Sequence, residues 1–345
     1  MTQRILVTGA TGFLGRHCLR ELRAQGHSVV ALVRSKQEWD AQDWLAEVPG
    51  VEVLEGSALF PDAWTGAALA QDVQSVFHLA AMVSHSRHEP SDMVRFNVEG
   101  TVNMVRFAAA QKARTIFVST SGTVGCFRHP DMTADEQAPY VTRTVSRWPY
   151  YASKVRAEQL ATEAATKLGA ELVIVRPPVL LGPGDHRHRS TKHVTNLMDG
   201  KIPFLGRGGM HFTDVRDVAK AMRRLATLKN PKRVYHFPGT ASSLIQFFTM
   251  VGEVSGVALP TLHLPAWVAL GATRVNANVA GLANKPPPKF LPDPVVVEMS
   301  MHYWGLSSLW SHADLGYVPR LPRQTLVDTV DWVRRVRAGH IVRAA

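Results

Sequence analysis

A chain of 345 residues with 46% apolar side chains and a net charge of +11 is long enough for one large domain or a domain with a smaller partner. Its two cysteines, Cys18 and Cys126, exclude a disulfide framework and a four-ligand cysteine metal site. They point to a reducing, cytoplasmic setting, as does the opening "MTQRILVTGA", which starts a strand rather than a secretory leader. The positive charge is scattered and mostly arginine, which suits a phosphate-bearing ligand, an acidic substrate or an anionic membrane surface; no basic run with interleaved aromatics supports nucleic-acid binding.

In chain order, "RILVTGA" reads as a buried strand and "TGFLGRHCLRELRAQG" as a helix ending at Gly26. "SVVALVR", "VEVLEG", "SVFHLAA" and "RTIFVSTS" are four further strands, with a helix from about Asp92 to Lys112 between the last two. "WPYYASKVRAEQL" opens another helix, and "ELVIVRPPVLLGPGD" is a sixth strand running into a loop. Continuous apolar strands separated by helices predict a doubly wound (Rossmann) α/β fold, with ligands at the carboxyl ends of a parallel sheet.

After Gly182 shorter helices alternate with Pro- and Gly-rich connectors, so residues 1–180 are expected to form the dinucleotide-binding domain. Residues 181–345 are expected to form a smaller, discontinuous substrate subdomain, with a strand returning at "RVYHFPG". The stretch "LHLPAWVALGATRVNANVAGLA" is interrupted by Pro265, Arg274, Asn276 and Asn278 and is too polar to span a bilayer. It is expected to be a lid or packing helix, with weak peripheral membrane contact as the alternative.

"TGATGFLG" sets Gly9, Gly12 and Gly15 directly after the first strand, with Thr11, Phe13 and Leu14 between them. Glycines there let the backbone turn tightly and approach a pyrophosphate, while the helix start supplies free N–H groups. NAD would call for an acid at the end of the second strand; "ALVRSK" places Arg34 there, and a guanidinium can take a 2′-phosphate. NADP(H) is therefore expected over NAD(H).

Tyr150 and Tyr151 lie four and three residues ahead of Lys154, so both can share its helix face. An ammonium near a phenol favours the phenolate and makes an acid/base pair; the same pattern also suits an amphipathic helix with two buried aromatics. In "DHRHRSTKH", the spacing of His186, His188 and His193 suits no common metal site. That basic loop is read as solvated, or as a holder for an acidic substrate such as a carboxylate or acyl thioester. Trp148 and Phe127 are candidates for an apolar pocket or for the core, and Cys126 for an ordinary reduced thiol.

Taken together, "TGATGFLG", "HLAA", "NVEGT", "VSTSGTVG", "YYASK" and "RPPVLLGPGD", in this order, resemble the extended branch of the short-chain dehydrogenase/reductase superfamily over nearly the whole chain. The resemblance implies a tyrosine, three residues, then lysine, which selects Tyr150 as acid/base, with Lys154 bonding the nicotinamide ribose and lowering the phenol's pKa. It implies a hydroxyl beside the substrate carbonyl: Ser121, with Thr120 as runner-up. Leu79, Ala80 and Ala81 would line the adenosine and diphosphate, and Pro177 to Leu180 would pass near the nicotinamide. Asn97 matches a family asparagine with a structural or water-relay role at the cofactor site. Ser57, followed by Ala58, replaces an aspartate that many members use at the adenine.

Sugar-nucleotide epimerases of this branch often place a diphosphate-binding arginine where "GMHFTDVRDVA" has Met210, and the dehydratases an acid pair where Gly122 and Thr123 stand. The chain thus looks more like the dihydroflavonol-reductase and 3β-hydroxysteroid-dehydrogenase-like group. The expected activity is reduction of a ketone or aldehyde of an apolar or acidic small molecule, or the reverse oxidation, by a homodimer. A nucleotide-sugar enzyme is the alternative, and a non-catalytic NADPH sensor a further one.

Overall fold

The first strand shows how the layers form. In β1 (Arg4–Thr8), Ile5 and Val7 point to one face and join Leu14, Cys18, Leu19 and Leu22 of the helix Phe13–Ala24. Leu6, between them, points to the other face and joins Met104, Phe107 and Ala108 of the helix Thr101–Ala110. Side chains alternate with a period of two along a strand, so a strand apolar at every position must be covered on both faces. β2 (Ser28–Val33) divides the same way, with Val29, Ala31 and Val33 on one side and Val30 and Leu32 on the other.

The computed structural model describes residues 2–87, 90–202, 204–260, 268, 271 and 293–339. The apolar stretch 262–283 falls outside them but for two isolated positions, as do most of the proline run and the tail from 340. β3 (Val51–Glu55), β4 (Ser75–His78), β5 (Arg114–Val118), β6 (Cys126–Phe127), β7 (Leu172–Arg176), β8 (Val179–Leu181), β9 (Gly209–Asp214), β10 (Val234–His236), β11 (Thr240–Ser243) and β12 (Tyr303–Trp304) complete the strands described. The main sheet has seven strands in the order β10-β7-β5-β4-β1-β2-β3, all parallel. Its order reverses between β1 and β4, and that switch point opens a crevice at the strands' carboxyl ends.

One expectation changes. The predicted sixth strand is two strands: β7 belongs to the main sheet, whereas β8 pairs with β9 in a three-stranded sheet, β11-β9-β8. Pro177 and Pro178 lie between them and cannot donate to a ladder, so the chain leaves the sheet there. The strand in "RVYHFPG" pairs with β7 as the edge of the main sheet. Position 180 lies inside β8. The second sheet shares a core with the helices Lys192–Met198, Leu244–Ser255 and Pro322–Arg337, through Val194, Leu197, Met210, Phe212, Phe247, Leu326 and Val330.

The helix Pro149–Leu168 begins with proline at its first turn and ends at Gly169, whose φ of +61° suits glycine. Ala157, Ala161 and Ala165 recur every fourth residue and let it lie close on Phe117, Leu172 and Ile174. The same face carries Glu158, 0% exposed, which accepts from Arg176 Nη2 at 2.5 Å and from Ser119 Oγ at 2.5 Å. Removing one partner of a buried pair leaves an uncompensated charge. Glu158→Ala should therefore lower unfolding free energy by about 3–5 kcal/mol in urea denaturation, and adding Arg176→Met should restore most of it.

Candidate active site

A groove of about 2430 Å³ runs along the carboxyl ends of the strands. It exceeds the roughly 300–1,000 Å³ of a single small-molecule pocket, so it has room for two molecules end to end. Its first end is built around Gly9, where φ is +70° and a Cβ would sit 2.6 Å from the Ala80 nitrogen. At Gly15 a Cβ would meet the Gly9 carbonyl oxygen at 2.1 Å. Only glycine allows this approach of β1, the following helix and the loop after β4. Gly12 N donates to Gly9 O at 2.9 Å and occupies the helix N-cap without a side-chain cap, leaving the first N–H groups of the helix for a ligand.

Gly9, Thr11, Gly12, Phe13 and Leu14 line this end; Gly15 packs beneath it. Leu79, Ala80 and Ala81 form the facing wall. Ala80 N is held by Thr8 Oγ1 at 3.2 Å, and Thr8 bonds His78 at 2.8 Å. Burial lowers the His78 imidazole to about 3, so it stays neutral. Arg34, Ser57 and Ala58 edge the groove at the ends of β2 and β3. Arg34 is exposed and has no ion pair among the described residues, whereas the Ser57 hydroxyl accepts from Leu59 N at 3.2 Å. This cradle, open only where side chains are absent, fits a dinucleotide pyrophosphate.

The other end is set by β5 and the helix Pro149–Leu168. Three consecutive hydroxyls follow Val118, and the structure sorts them. Ser119 donates to Glu158; Thr120 Oγ1 accepts from Gly122 N and caps the short turn Ser121–Thr123. The Ser121 hydroxyl has no protein partner among the described residues and lines the groove. Its backbone is pinned by Ser121 N donating to Pro177 O at 2.8 Å, and Pro177 and Leu180 line the wall beside it.

Lys154 is 1% exposed, donates from Nζ to Val118 O at 2.8 Å and lies 4.2 Å from the Phe117 ring centroid. Burial lowers its pKa to about 7, with Glu158 one turn on acting in the opposite sense. Tyr150 and Tyr151 both line the groove, but their surroundings differ. Tyr151 packs against Trp304 at 5.2 Å and Trp148 at 6.0 Å between ring centroids, and a Cβ on Gly122 would collide with its ring. Burial, then Tyr150 and Cys126, push its phenol up. Tyr150 lies outside the tryptophan stack, and burial alone raises its phenol to about 12, so it is protonated at neutral pH.

Asn97 lies behind the groove wall and not on it, a correction to its reading as a cofactor contact. It is 1% exposed and exchanges hydrogen bonds with the Met82 backbone at 2.9 Å in each direction, and it donates to Ser153 Oγ at 3.0 Å. It ties the loop after β4 to the helix that carries Tyr150. Asn97 itself lies in a π turn, Phe96–Gly100. Trp148 is core, donating to Glu298 at 3.1 Å, and neither it nor Phe127 lines the groove. Burial pushes the Cys126 thiol up to about 12.

Sequence reasoning missed His85, whose ring meets Tyr150 edge-on at 5.8 Å and stacks on Tyr151 at 6.1 Å. It sits in a loop with no periodicity, and only the fold brings it over the tyrosines. Among the described residues no three His, Cys, Asp or Glu side chains cluster as a metal site, and no helix is long and apolar enough to cross a membrane.

Known proteins carry the same plan. A putative dihydroflavonol 4-reductase from Synechocystis is 29% identical over 342 residues, covering 96% of this chain and 95% of its own. A 4-hydroxy-2-methyl-3-oxo-4-farnesyl-3,4-dihydroquinoline-1-oxide ketoreductase from Stigmatella aurantiaca is 31% identical over 80% of each chain. The crystal structure of gox2253 superposes with a TM-score of 0.80 at 27% identity, covering 99% of this chain and 100% of that one. The sequence profile of the NAD dependent epimerase/dehydratase family matches residues 5–236. With its glycine cradle at the switch point and Tyr150 and Lys154 on one helix face beside it, the chain belongs to that family and is an oxidoreductase of the extended short-chain dehydrogenase/reductase type that binds a nicotinamide dinucleotide.

Proposed function

We propose that the protein is an NADP(H)-dependent carbonyl reductase acting on an apolar or acidic small molecule. The observation that carries this reading is the wall beyond Tyr150. Met210 is 6% exposed and, with Leu205, Leu244 and Phe248, forms an apolar face of the groove where a sugar nucleotide would need a cation for its diphosphate. Placing a diphosphate against apolar side chains strands its charge, whereas an apolar ketone gains about 25 cal/mol for each Å² removed from water. The names of the two relatives, a putative reductase and a ketoreductase, support the same choice.

The bound cofactor supplies hydride for the carbonyl carbon. The chain's part is proton and charge management. Tyr150, protonated at neutral pH, gives its phenolic proton to the carbonyl oxygen while the Ser121 hydroxyl, without a protein partner among the described residues, donates a hydrogen bond to the same oxygen. An ammonium has three donors; Val118 O takes one from Lys154, leaving the others for the nicotinamide ribose and the developing phenolate. Arg34, exposed at the end of β2 and without a carboxylate partner among the described residues, takes the 2′-phosphate.

Three measurements test the reading. Tyr150→Phe should lower turnover by about 100-fold or more with NADPH binding intact, because proton transfer by a positioned group is worth roughly 10²–10⁴; Tyr151→Phe should cost less than about tenfold. The opposite ranking would assign the chemistry to Tyr151. The unmodified protein should bind NADPH more tightly than NADH in fluorescence titration, and Arg34→Asp should reverse the order; equal affinities in the unmodified protein would remove the NADP assignment.

The alternative is a nucleotide-sugar epimerase or dehydratase, after which the family is named. A reductase consumes NADPH stoichiometrically with ketones, whereas an epimerase regenerates its cofactor. Calorimetric titration of the NADP-loaded protein with UDP-glucose should show weak or no binding. Micromolar binding displaced by UDP would promote the alternative.

A further inference from the structure

The basic loop "DHRHRS", read from the sequence as solvated or as a holder for an acidic substrate, keeps Arg187 and Arg189 exposed while its histidines are half-buried. Its imidazoles pack inward: His186 meets Trp332 edge-on at 5.5 Å and His188 lies 5.6 Å from the same ring. The arginines that alternate with them, Arg187 and Arg189, line the groove. The loop is a built element. Asp185, 2% exposed, accepts from Ser190 N at 2.9 Å, Thr191 N at 2.8 Å and Thr191 Oγ1 at 3.0 Å. Pro183 O bonds His17 Nε2 at 2.9 Å, which fixes the loop to the helix whose N-terminus faces the pyrophosphate cradle.

Arg34, Arg187 and Arg189 line the same groove, and burial followed by the charges of Arg189 and Arg34 pushes the Arg187 guanidinium below its usual value. Among the described residues none of the three arginines has a hydrogen bond or ion pair. Glu38 and Asp185 are the carboxylates that counter Arg187, and the Asp185 oxygen Oδ2 is already committed to the loop backbone. The site thus holds more cation than the protein balances.

We propose that Arg187 and Arg189 close over Arg34 to form a three-guanidinium clamp for the phosphomonoester on an adenosine ribose, the 2′-phosphate of NADP(H). The proposal rests on the NADP reading above and adds a second wall to it, contributed by the segment after β8. Position separates it from a substrate role. Arg34 follows β2, and Val118 beside Lys154 ends β5, with β1 and β4 between them in the sheet. Three strand spacings of about 4.8 Å put roughly 14 Å between Arg34 and the end of β5, where the ketone would sit.

The test is calorimetric titration of Arg187→Ala, Arg189→Ala and their double variant with NADPH, NADH, adenosine 2′,5′-bisphosphate, adenosine 3′,5′-bisphosphate and AMP. Loss of a charge-assisted contact to a phosphate should weaken NADPH and the 2′,5′-bisphosphate by about tenfold per arginine and leave NADH and AMP within about twofold. Arg187→Lys should recover part of the affinity, since it keeps the charge and loses the fork. Unchanged NADPH affinity, equal weakening of NADPH and NADH, or a raised KM for acidic ketones with NADPH affinity intact would each overturn the clamp. Tighter binding of the 3′,5′-bisphosphate would also overturn it, assigning the site to a coenzyme A tail. If the unmodified protein binds NADH as well as NADPH, the Arg34 reading fails; if it prefers NADPH and the loop variants keep that preference, the clamp alone fails.

Discussion

The arrangement depends on one buried cation. Lys154 is almost fully enclosed, and burying an ammonium without partners costs several kcal/mol, so its surroundings must answer it. The Val118 carbonyl at the end of β5 accepts a hydrogen bond from it, the Phe117 face lies beneath it, and Glu158 sits one turn further along the same helix. These contacts set the depth and rotation of the helix Pro149–Leu168 against the sheet. Once that rotation is set, Tyr150, one turn before Lys154, must come out on the groove.

Glu158 carries the constraint further. It takes Ser119 and Arg176 as partners, which commits the Ser119 hydroxyl and leaves Ser121, two residues on, as a groove-lining hydroxyl without a protein partner among the described residues. A buried carboxylate behind the site therefore acts on which of three neighbouring hydroxyls is free to touch a ligand. Asn97 works in the same indirect way, joining the loop after β4 to the same helix through Met82 and Ser153. The groove that results has unlike ends. The switch-point end is glycine-lined and edged by Arg34, Arg187 and Arg189, which have no ion pair among the described residues; the far end is walled by Met210, Leu205, Leu244 and Phe248. A dinucleotide suits the first and an apolar carbonyl compound the second.

Much of this was legible in the residues. Strands with continuous apolar runs are buried on both faces, so β1, β2, β4, β5 and β7 announce a parallel sheet covered by helices. Gly9, Gly12 and Gly15 mark a turn because no side chain fits there, and Tyr150 with Lys154 shares a helix face by spacing alone. These are local properties: they depend on backbone geometry within a few residues, which the chain order carries.

What the chain order could not decide depends on contacts between distant segments. Pro177 and Pro178 signal a break, but only pairing with β9 shows that β8 leaves the main sheet. Tyr150 and Tyr151 are equivalent by spacing until Trp148 and Trp304 close on one of them, and Trp304 lies about 150 positions away along the chain. His85 reaches the tyrosines, and Arg187 comes to line the same groove as Arg34, only in the folded chain. Periodicity and spacing report which face a residue takes on its own element. Which other element that face meets is set by the packing of the whole core, and only the tertiary structure decides it.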